Sequence, residues 1–192
     1  ETEKHNPMDK TEQRLIQRAQ TGDRQAFADL YERYQPAIFN YLYYRIDDPD
    51  CAEELTCEVF VRMVQSIQRY QNQGQPFLVW LYTIARNLRI DYYRQNGKAL
   101  MVDLEDRLPA QEKSLAETVE IHLKAECLKK VLPFLTEDQQ FVILAKFIEG
   151  RNNAEIAMLM DKPESAIKSL QHRALATLRR AIEKVGCYEH AD

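Results

Sequence analysis

Apolar side chains recur three and four residues apart along most of this chain, and no stretch alternates apolar with polar as a half-buried strand would. That rhythm confines the fold to packed helices. Phe27, Leu30, Tyr31, Tyr34, Ile38 and Leu42 form one stripe. Ala52, Leu55, Val59, Met63 and Ile67 form a second, and Leu81, Ala85, Leu88 and Tyr92 a third. The punctuation agrees: Asp23 stands at an N-cap position, Asp47-Asp48-Pro49 separates the first two stripes, and Pro76 opens the helix of the third. A shorter helix is predicted over 10–20, closing at Thr21-Gly22. Toward the C-terminus, Thr136-x-x-Gln139 has the form of a capping box ahead of Phe141, Leu144, Ala145 and Ile148. Gly150 can end that helix, and Asn152-x-x-Glu155 repeats the start signal. Further helices are predicted over about 121–132, 153–160 and 164–185.

Between these groups, residues 96–120 lose the period, hold Gly97 and Pro109, and lean acidic. The expected fold class is therefore all-α, with two small helical domains joined by an acidic flexible linker. The expected boundaries are a disordered tail at 1–9, a first domain at 10–96, a linker at 97–120, a second domain at 121–186 and a tail at 187–192.

Several function classes drop out. No window holds the roughly 20 apolar residues that cross a bilayer, and no secretory apolar core is visible near the start, so a cytoplasmic protein without membrane insertion is expected. Four cysteines (Cys51, Cys57, Cys127 and Cys187) show no Cys-x-x-Cys spacing and are expected to be reduced and structural. There is no Gly-rich phosphate loop, metal-ligand cluster or nucleophile motif, and His122 near Cys127 reads as incidental. No catalytic residue, metal or cofactor is expected. With no dimerising heptad, the free chain is expected to be a monomer.

A net charge of −4 argues against nucleic acid until it is resolved along the chain. Residues 86–98 carry Arg86, Arg89, Arg94 and Lys98 against Asp91 alone. Residues 162–180 carry Lys162, Lys168, Arg173, Arg179 and Arg180 against Glu164 alone. Acidic residues such as Asp103, Glu105, Asp106 and Glu112 lie between. A phosphate backbone responds to local charge, so both basic stretches are candidate DNA faces.

In the second, the short helix containing Ile156, Ala157 and Met160 is too small to stand alone, and Asp161-Lys162-Pro163 forms a turn before the last helix. Winding that helix at 3.6 residues per turn puts Ile167, Leu170, Ala174, Leu178 and Ile182 inward, with Ser165, Lys168, Ser169, His172, Arg173 and Arg179 outward. Such a helix suits the major groove: Lys168, Arg173 and Arg179 for phosphates, the shorter Ser165, Ser169 and His172 for base edges. An amphipathic helix with a solvated polar face would read the same way.

On the helix 77–95, one polar flank is assigned Tyr82, Arg86, Arg89 and Tyr93, and the other Asn87, Asp91 and Arg94. Interleaved aromatic and guanidinium groups suit strand-separated DNA, and the Gln- and Asn-rich loop before them, with Gln73, offers amides to an unpaired base. Asp91 also fits a simple helix-surface pair with Arg94, and Trp80 fits the core better than a contact. The helix 50–69 exposes Glu54, Glu58, Val61, Arg62 and Gln65, an apolar residue within a charged rim that is compatible with a protein partner.

Together these segments resemble a bacterial sigma factor of the extracytoplasmic-function group. Asp50-Cys51-Ala52-Glu53-Glu54-Leu55-Thr56-Cys57-Glu58-Val59-Phe60 is similar to the polymerase-binding helix of sigma region two. Trp80-Leu81-Tyr82-Thr83-Ile84-Ala85-Arg86-Asn87 and Asp91-Tyr92-Tyr93-Arg94 are similar to its promoter-melting, minus-ten-reading helix. Ile167-Lys168-Ser169 and His172-Arg173-Ala174 are similar to the minus-thirty-five-reading helix of region four.

The resemblance implies that Glu53, Glu54, Glu58, Val61, Arg62 and Gln65 bind the clamp helices of the largest subunit of core RNA polymerase, with the flap of the second subunit as a further contact. Gln73, Trp80, Tyr82, Arg86, Asn87, Arg89, Asp91, Tyr93 and Arg94 would meet minus-ten DNA; Ser165, Lys168, Ser169, His172, Arg173 and Arg179 would meet the minus-35 element. The acidic linker would follow the RNA path through the polymerase cleft, and an anti-sigma partner would regulate the whole. The family's turn usually holds a glycine where this chain has Asp161, and Leu170 and Leu175 stand where relatives often carry arginine. A sigma mimic that binds only an anti-sigma protein, and a plain helix-turn-helix regulator, remain as alternatives.

Overall fold

The computed structural model describes residues 10–96 and 125–187, all helical or turn and without a strand among them. The expectations for a tail at 1–9, for the linker at 97–120, for a helix start at 121 and for residues 188–192 fall outside the described residues. Two compact units result, and each has its own core.

The first unit contains α1 (Lys10–Gln20), α2 (Arg24–Tyr43), α3 (Pro49–Ser66) and α4 (Phe77–Gln95), with a 3₁₀ turn at Ile67–Arg69. Helix α2 is central, packing against α1, α3 and α4. Its Leu30, Ile38 and Leu42 meet a core supplied by Ala52, Val59 and Met63 of α3 and Phe77, Leu81 and Ala85 of α4, all essentially inaccessible to water. The Asp23 carboxylate accepts from the Gln25 and Ala26 amides and so caps α2, as its position suggests. Pro36 inside α2 deprives the Glu32 carbonyl of its usual donor, but both residues face solvent, which satisfies that oxygen.

Two assignments on α4 need correction. Tyr82 and Arg89, expected on an exposed polar flank, are buried at 8% and 7% exposure. The reason is that α4 packs against α2 and α3 together. A helix with two neighbours buries a wider arc, so Leu78, Tyr82, Ala85 and Arg89, at i, i+4, i+7 and i+11, form a second stripe beside Leu81 and Leu88. Conversely, Tyr31 of the first stripe stays 41% exposed, its ring edge against Phe60 at 4.7 Å.

The second unit contains α5 (Ala125–Val131), a 3₁₀ turn at Leu132–Phe134, α6 (Glu137–Ile143), the start of α7 (Asn153–Met160) as far as Ile156, and α8 (Glu164–Val185). Helix α8 packs against α5 and α6. Thr136 and Gln139 exchange side-chain and backbone hydrogen bonds, completing the capping box of α6. After Ile143 the helix widens into a π turn over Leu144–Ile148, and Gly150 ends it with φ +69°. Leu128, Val131, Val142, Ile143, Ile156, Ile167, Ala174 and Leu178 fill the core.

The cysteines also depart from expectation: Cys127 and Cys187 form a disulfide with Cα atoms 5.9 Å apart, while Cys51 and Cys57 are free. Sequence spacing could not show this, because the partners stand 60 positions apart.

Candidate nucleic-acid and partner interfaces

Helix α3 begins at Pro49 behind an Asp48 cap, whose carboxylate accepts from the Asp50 amide at 3.0 Å. Ala52, Val59, Phe60 and Met63 bury one side. The opposite side therefore exposes Glu53, Glu54, Val61, Arg62 and Gln65, with Glu58 half-buried. Arg62 donates to Glu58 at 2.9 Å, an exposed i, i+4 pair that adds a few tenths of a kcal/mol and mainly orders the rim. Val61 is 47% exposed, and so is Val64, one turn on. Sequence reading missed Val64, although its i+3 spacing from Val61 was the available signal. Two apolar residues inside a ring of both charge signs suit a protein surface better than a phosphate backbone.

Between α3 and α4, Tyr70, Phe77 and Trp80 gather, with ring centroids 4.9 to 5.3 Å apart. The Gln20 side-chain amide reaches from α1 and donates to the Ile67 and Tyr70 carbonyls at 3.0 and 2.9 Å. Tyr34 donates its hydroxyl to the buried Glu12 carboxylate, a second tie between α1 and the unit's core. Burial, and secondarily the Glu12 charge, raises the Tyr70 phenol above its ordinary range. Beyond Tyr70 the loop turns at Gly74, whose amide donates to Asn72 at 2.8 Å and whose φ of +84° favours glycine. Gln73 is exposed at the loop's surface, and Trp80 is half-buried. A fixed aromatic wall beside an exposed amide can hold an unstacked base.

Along α4, Arg86, Asn87 and Arg94 are exposed. Asp91 is half-buried and accepts from Arg94 at 2.8 Å, as an ordinary surface pair would. Half-buried Tyr93 donates its hydroxyl to the Arg45 carbonyl. Beneath this face lies a layer absent from the sequence reading: the Arg45 guanidinium sits 4.2 Å from the Tyr41 ring centroid, Arg89 lies 5.9 Å from it, and Tyr82 packs on Tyr41 at 5.2 Å. Arg45 also donates to the Tyr41 carbonyl at 3.0 Å. Tyr82 and Arg89 thus support the exposed residues from below.

In the second unit the Asn152 and Glu155 side chains exchange hydrogen bonds with each other's backbone at 2.7 and 2.9 Å, opening α7. The α7–α8 turn closes through Lys162, whose amide donates to the Ala157 carbonyl at 3.0 Å. Asp161 takes φ +52°, the left-handed conformation a glycine would adopt more cheaply. Ile167, Leu170, Ala174 and Leu178 face the core, and Ser165, Lys168, Ser169, His172, Arg173 and Arg179 are all exposed. The Ser169 hydroxyl donates back to the Ser165 carbonyl at 3.0 Å, leaving its lone pairs outward as acceptors. All six expected residues therefore share the solvent side of one capped helix.

Among the described residues, no three His, Cys, Asp or Glu side chains gather as a metal site, and no helix is long and apolar enough to cross a membrane. A four-helix unit with an apolar-and-charged face, an aromatic loop and a basic helix, and a C-terminal helix-turn-helix, define the class: a modular all-helical protein with candidate nucleic-acid and partner faces. Family models agree: Sigma-70 region 2 matches residues 30–99, and Sigma-70 region 4 matches residues 125–178. The chain belongs to the sigma-70 family, in its extracytoplasmic-function group.

The ECF RNA polymerase sigma factor BldN of Streptomyces coelicolor is 38% identical over 170 residues, covering 88% of this chain; the chain spans 64% of that relative's length. The ECF RNA polymerase sigma factor SigX of Bacillus subtilis is 27% identical, over 83% of this chain and 84% of its own. The fold is shared with the sigma factor RpoE of Bartonella quintana, solved in complex with the anti-sigma factor NepR, at a TM-score of 0.55 and 22% identity, over 82% of this chain and 96% of that one.

Proposed function

We propose that this chain is a transcription initiation factor that binds core RNA polymerase, directs it to promoters with minus-35 and minus-10 elements, and assists melting. The observation that carries this is the packing of α3 on α4 within one unit. A docking face and a base-holding loop on two helices of one core move together, so binding energy gained on polymerase can hold a separated strand.

Glu53, Glu54, Glu58, Val61, Arg62 and Gln65, with Val64 added, would meet the clamp helices of the largest subunit. Gln73 and the Tyr70–Trp80 wall would take the flipped minus-ten base, and Arg86, Asn87 and Arg94 would follow the single strand. Tyr82, Arg89, Asp91 and Tyr93 would act from behind, by holding that surface. Ser165, Ser169 and His172 would face bases of the minus-35 element, and Lys168, Arg173 and Arg179 its phosphates. The domains would run 10–96 and 121–186, joined by 97–120, with the flap of the second polymerase subunit as a further contact for the second domain. The bond-forming chemistry belongs to polymerase, so the chain itself is no enzyme; it would act in the cytoplasm, as a monomer when free. An anti-sigma protein is the expected regulator, and covering the Val61–Val64 face would suffice for inhibition.

Transcription in vitro with core polymerase and fragmented genomic DNA of the host tests the reading. Discrete start sites that need the added chain, with shared upstream sequences, are the expected result. Core binding without start sites would point to a missing factor or an inhibited state, whereas neither transcription nor core binding would overturn the reading in favour of the sigma mimic.

A further inference from the structure

We infer that Cys127 and Cys187 form a reversible oxidative staple that closes the C-terminal helical unit under peroxide or disulfide oxidants and opens under thiol reductants. The pair lies on α5 and just past the end of α8, so the bond closes a loop of chain that runs from α5 through the end of α8. The Cα separation of 5.9 Å lies within the range a disulfide accepts.

The fold delivers Cys187 to this place. Gly186 caps α8 in the left-handed region at φ +70°, and the Gly186 and Cys187 amides both donate to the Ile182 carbonyl, at 3.0 and 3.3 Å. This turn folds the chain back at a defined residue, and a side chain at 186 would disfavour it. On the other side, Leu128 and Val131 anchor α5 in the core. The two cysteines are therefore held opposite each other by packing and capping that do not require the bond. Both are half-buried, within reach of small oxidants and reductants. The other two cysteines, Cys51 and Cys57, belong to the first unit and lie on one helix without a disulfide.

The chemistry balances with hydrogen peroxide as oxidant. One thiolate attacks a peroxide oxygen, the O–O bond breaks, one water leaves, and a sulfenic acid remains. The second thiolate attacks that sulfur, the S–O bond breaks, a second water leaves, and the S–S bond forms. Two electrons and two protons pass from the cysteine pair to the peroxide. A dithiol reductant reverses the step by exchange and leaves as its own disulfide.

Because the closed loop is long, the staple removes much chain entropy from the unfolded unit, and its loss should be read as lower thermal stability. The test uses the full chain in peroxide-treated and dithiothreitol-treated forms, followed by thermal melting and by peptide mapping after thiol alkylation. The oxidised chain should yield a linked Cys127–Cys187 peptide, and its C-terminal unit should melt higher by on the order of 10 °C. Cys127→Ser and Cys187→Ser should each melt like the reduced chain whatever the oxidant, while a Cys51→Ser/Cys57→Ser variant should keep the shift. Equal melting of the two forms, or linkage through Cys51 or Cys57 instead, would overturn the inference. A bond that stays closed across all glutathione ratios would overturn its reversibility and leave a permanent crosslink. None of these readouts depends on promoter activity.

Discussion

Gln20 ties α1 to the segment between α3 and α4 with one amide, donating to the carbonyls of Ile67 and Tyr70 where α3 gives way to the loop. Replacing it with alanine leaves two part-buried acceptors without that donor, which should cost about 1–3 kcal/mol. Trp80 is the chain's single tryptophan and packs on Tyr70, so its fluorescence reports the loop directly. Gln20→Ala should change that emission before global unfolding in a denaturant titration; coincident transitions at the wild-type midpoint would show the bonds to be idle. Asp23 offers a pH test. Its carboxyl is held below the usual aspartate range, chiefly by the Arg18 side-chain hydrogen bond, against an opposing burial effect and with help from the Ala26 and Gln25 amides. A lowered folded pKa means this contribution is complete above the unfolded value near pH 4 and disappears as pH falls through the folded one. Asp23→Asn keeps a cap but cannot titrate, so the wild-type chain should lose helical stability relative to the variant only on acidification below about pH 4. Asp23 was legible in the sequence because a cap is a local pattern. Gln20 was not, since its acceptors lie 47 and 50 positions away.

Helix α4 shows where periodicity stops being sufficient. The 3.6-residue period locates a buried stripe but not its width, and the width depends on how many neighbours the helix has. With α2 and α3 both against it, α4 draws Tyr82 and Arg89 inward and leaves Arg86 out. Substitution separates the two arginines. Arg86→Ala should leave stability within about 0.5 kcal/mol, whereas Arg89→Ala removes a stem and guanidinium packed near Tyr41 and should cost about 2 kcal/mol or more. Equal effects in chemical denaturation would refute the two-layer arrangement of that face. Helix α8 was read more completely because it turns a single face to α5 and α6, and its outward residues follow from pitch alone. Lys168→Ala with Arg173→Ala should weaken binding to upstream duplex and reduce the slope of log affinity against log salt by about 2, one counterion per lost phosphate contact. An unchanged slope would assign both cations to a solvated face.

For the whole molecule, a net charge of −4 means that the proposed binding to nucleic acid would draw on local basic faces and not on the average field. The division into two helical units could be read from the loss of period between them, and the disulfide could not, because it depends on where α8 ends relative to α5 in space. The partner face lay in between: its charged rim and Val61 were visible and the i+3 spacing hinted at Val64, while the α3–α4 and α2–α3 contacts fix which side of α3 is left open. That side is the place to separate docking from DNA binding. Placing glutamate at both Val61 and Val64 puts charge where an apolar centre would be desolvated on docking, while their exposure means the helical core has little to lose. Core polymerase association should fall tenfold or more, about 1.4 kcal/mol or beyond, with the circular dichroism spectrum and the α8 affinity for upstream duplex unchanged. If association survives at wild-type strength, the apolar pair is a bystander, and the energy of docking resides in the Glu53, Glu54 and Arg62 rim, which the same assay would then show as a steep salt dependence.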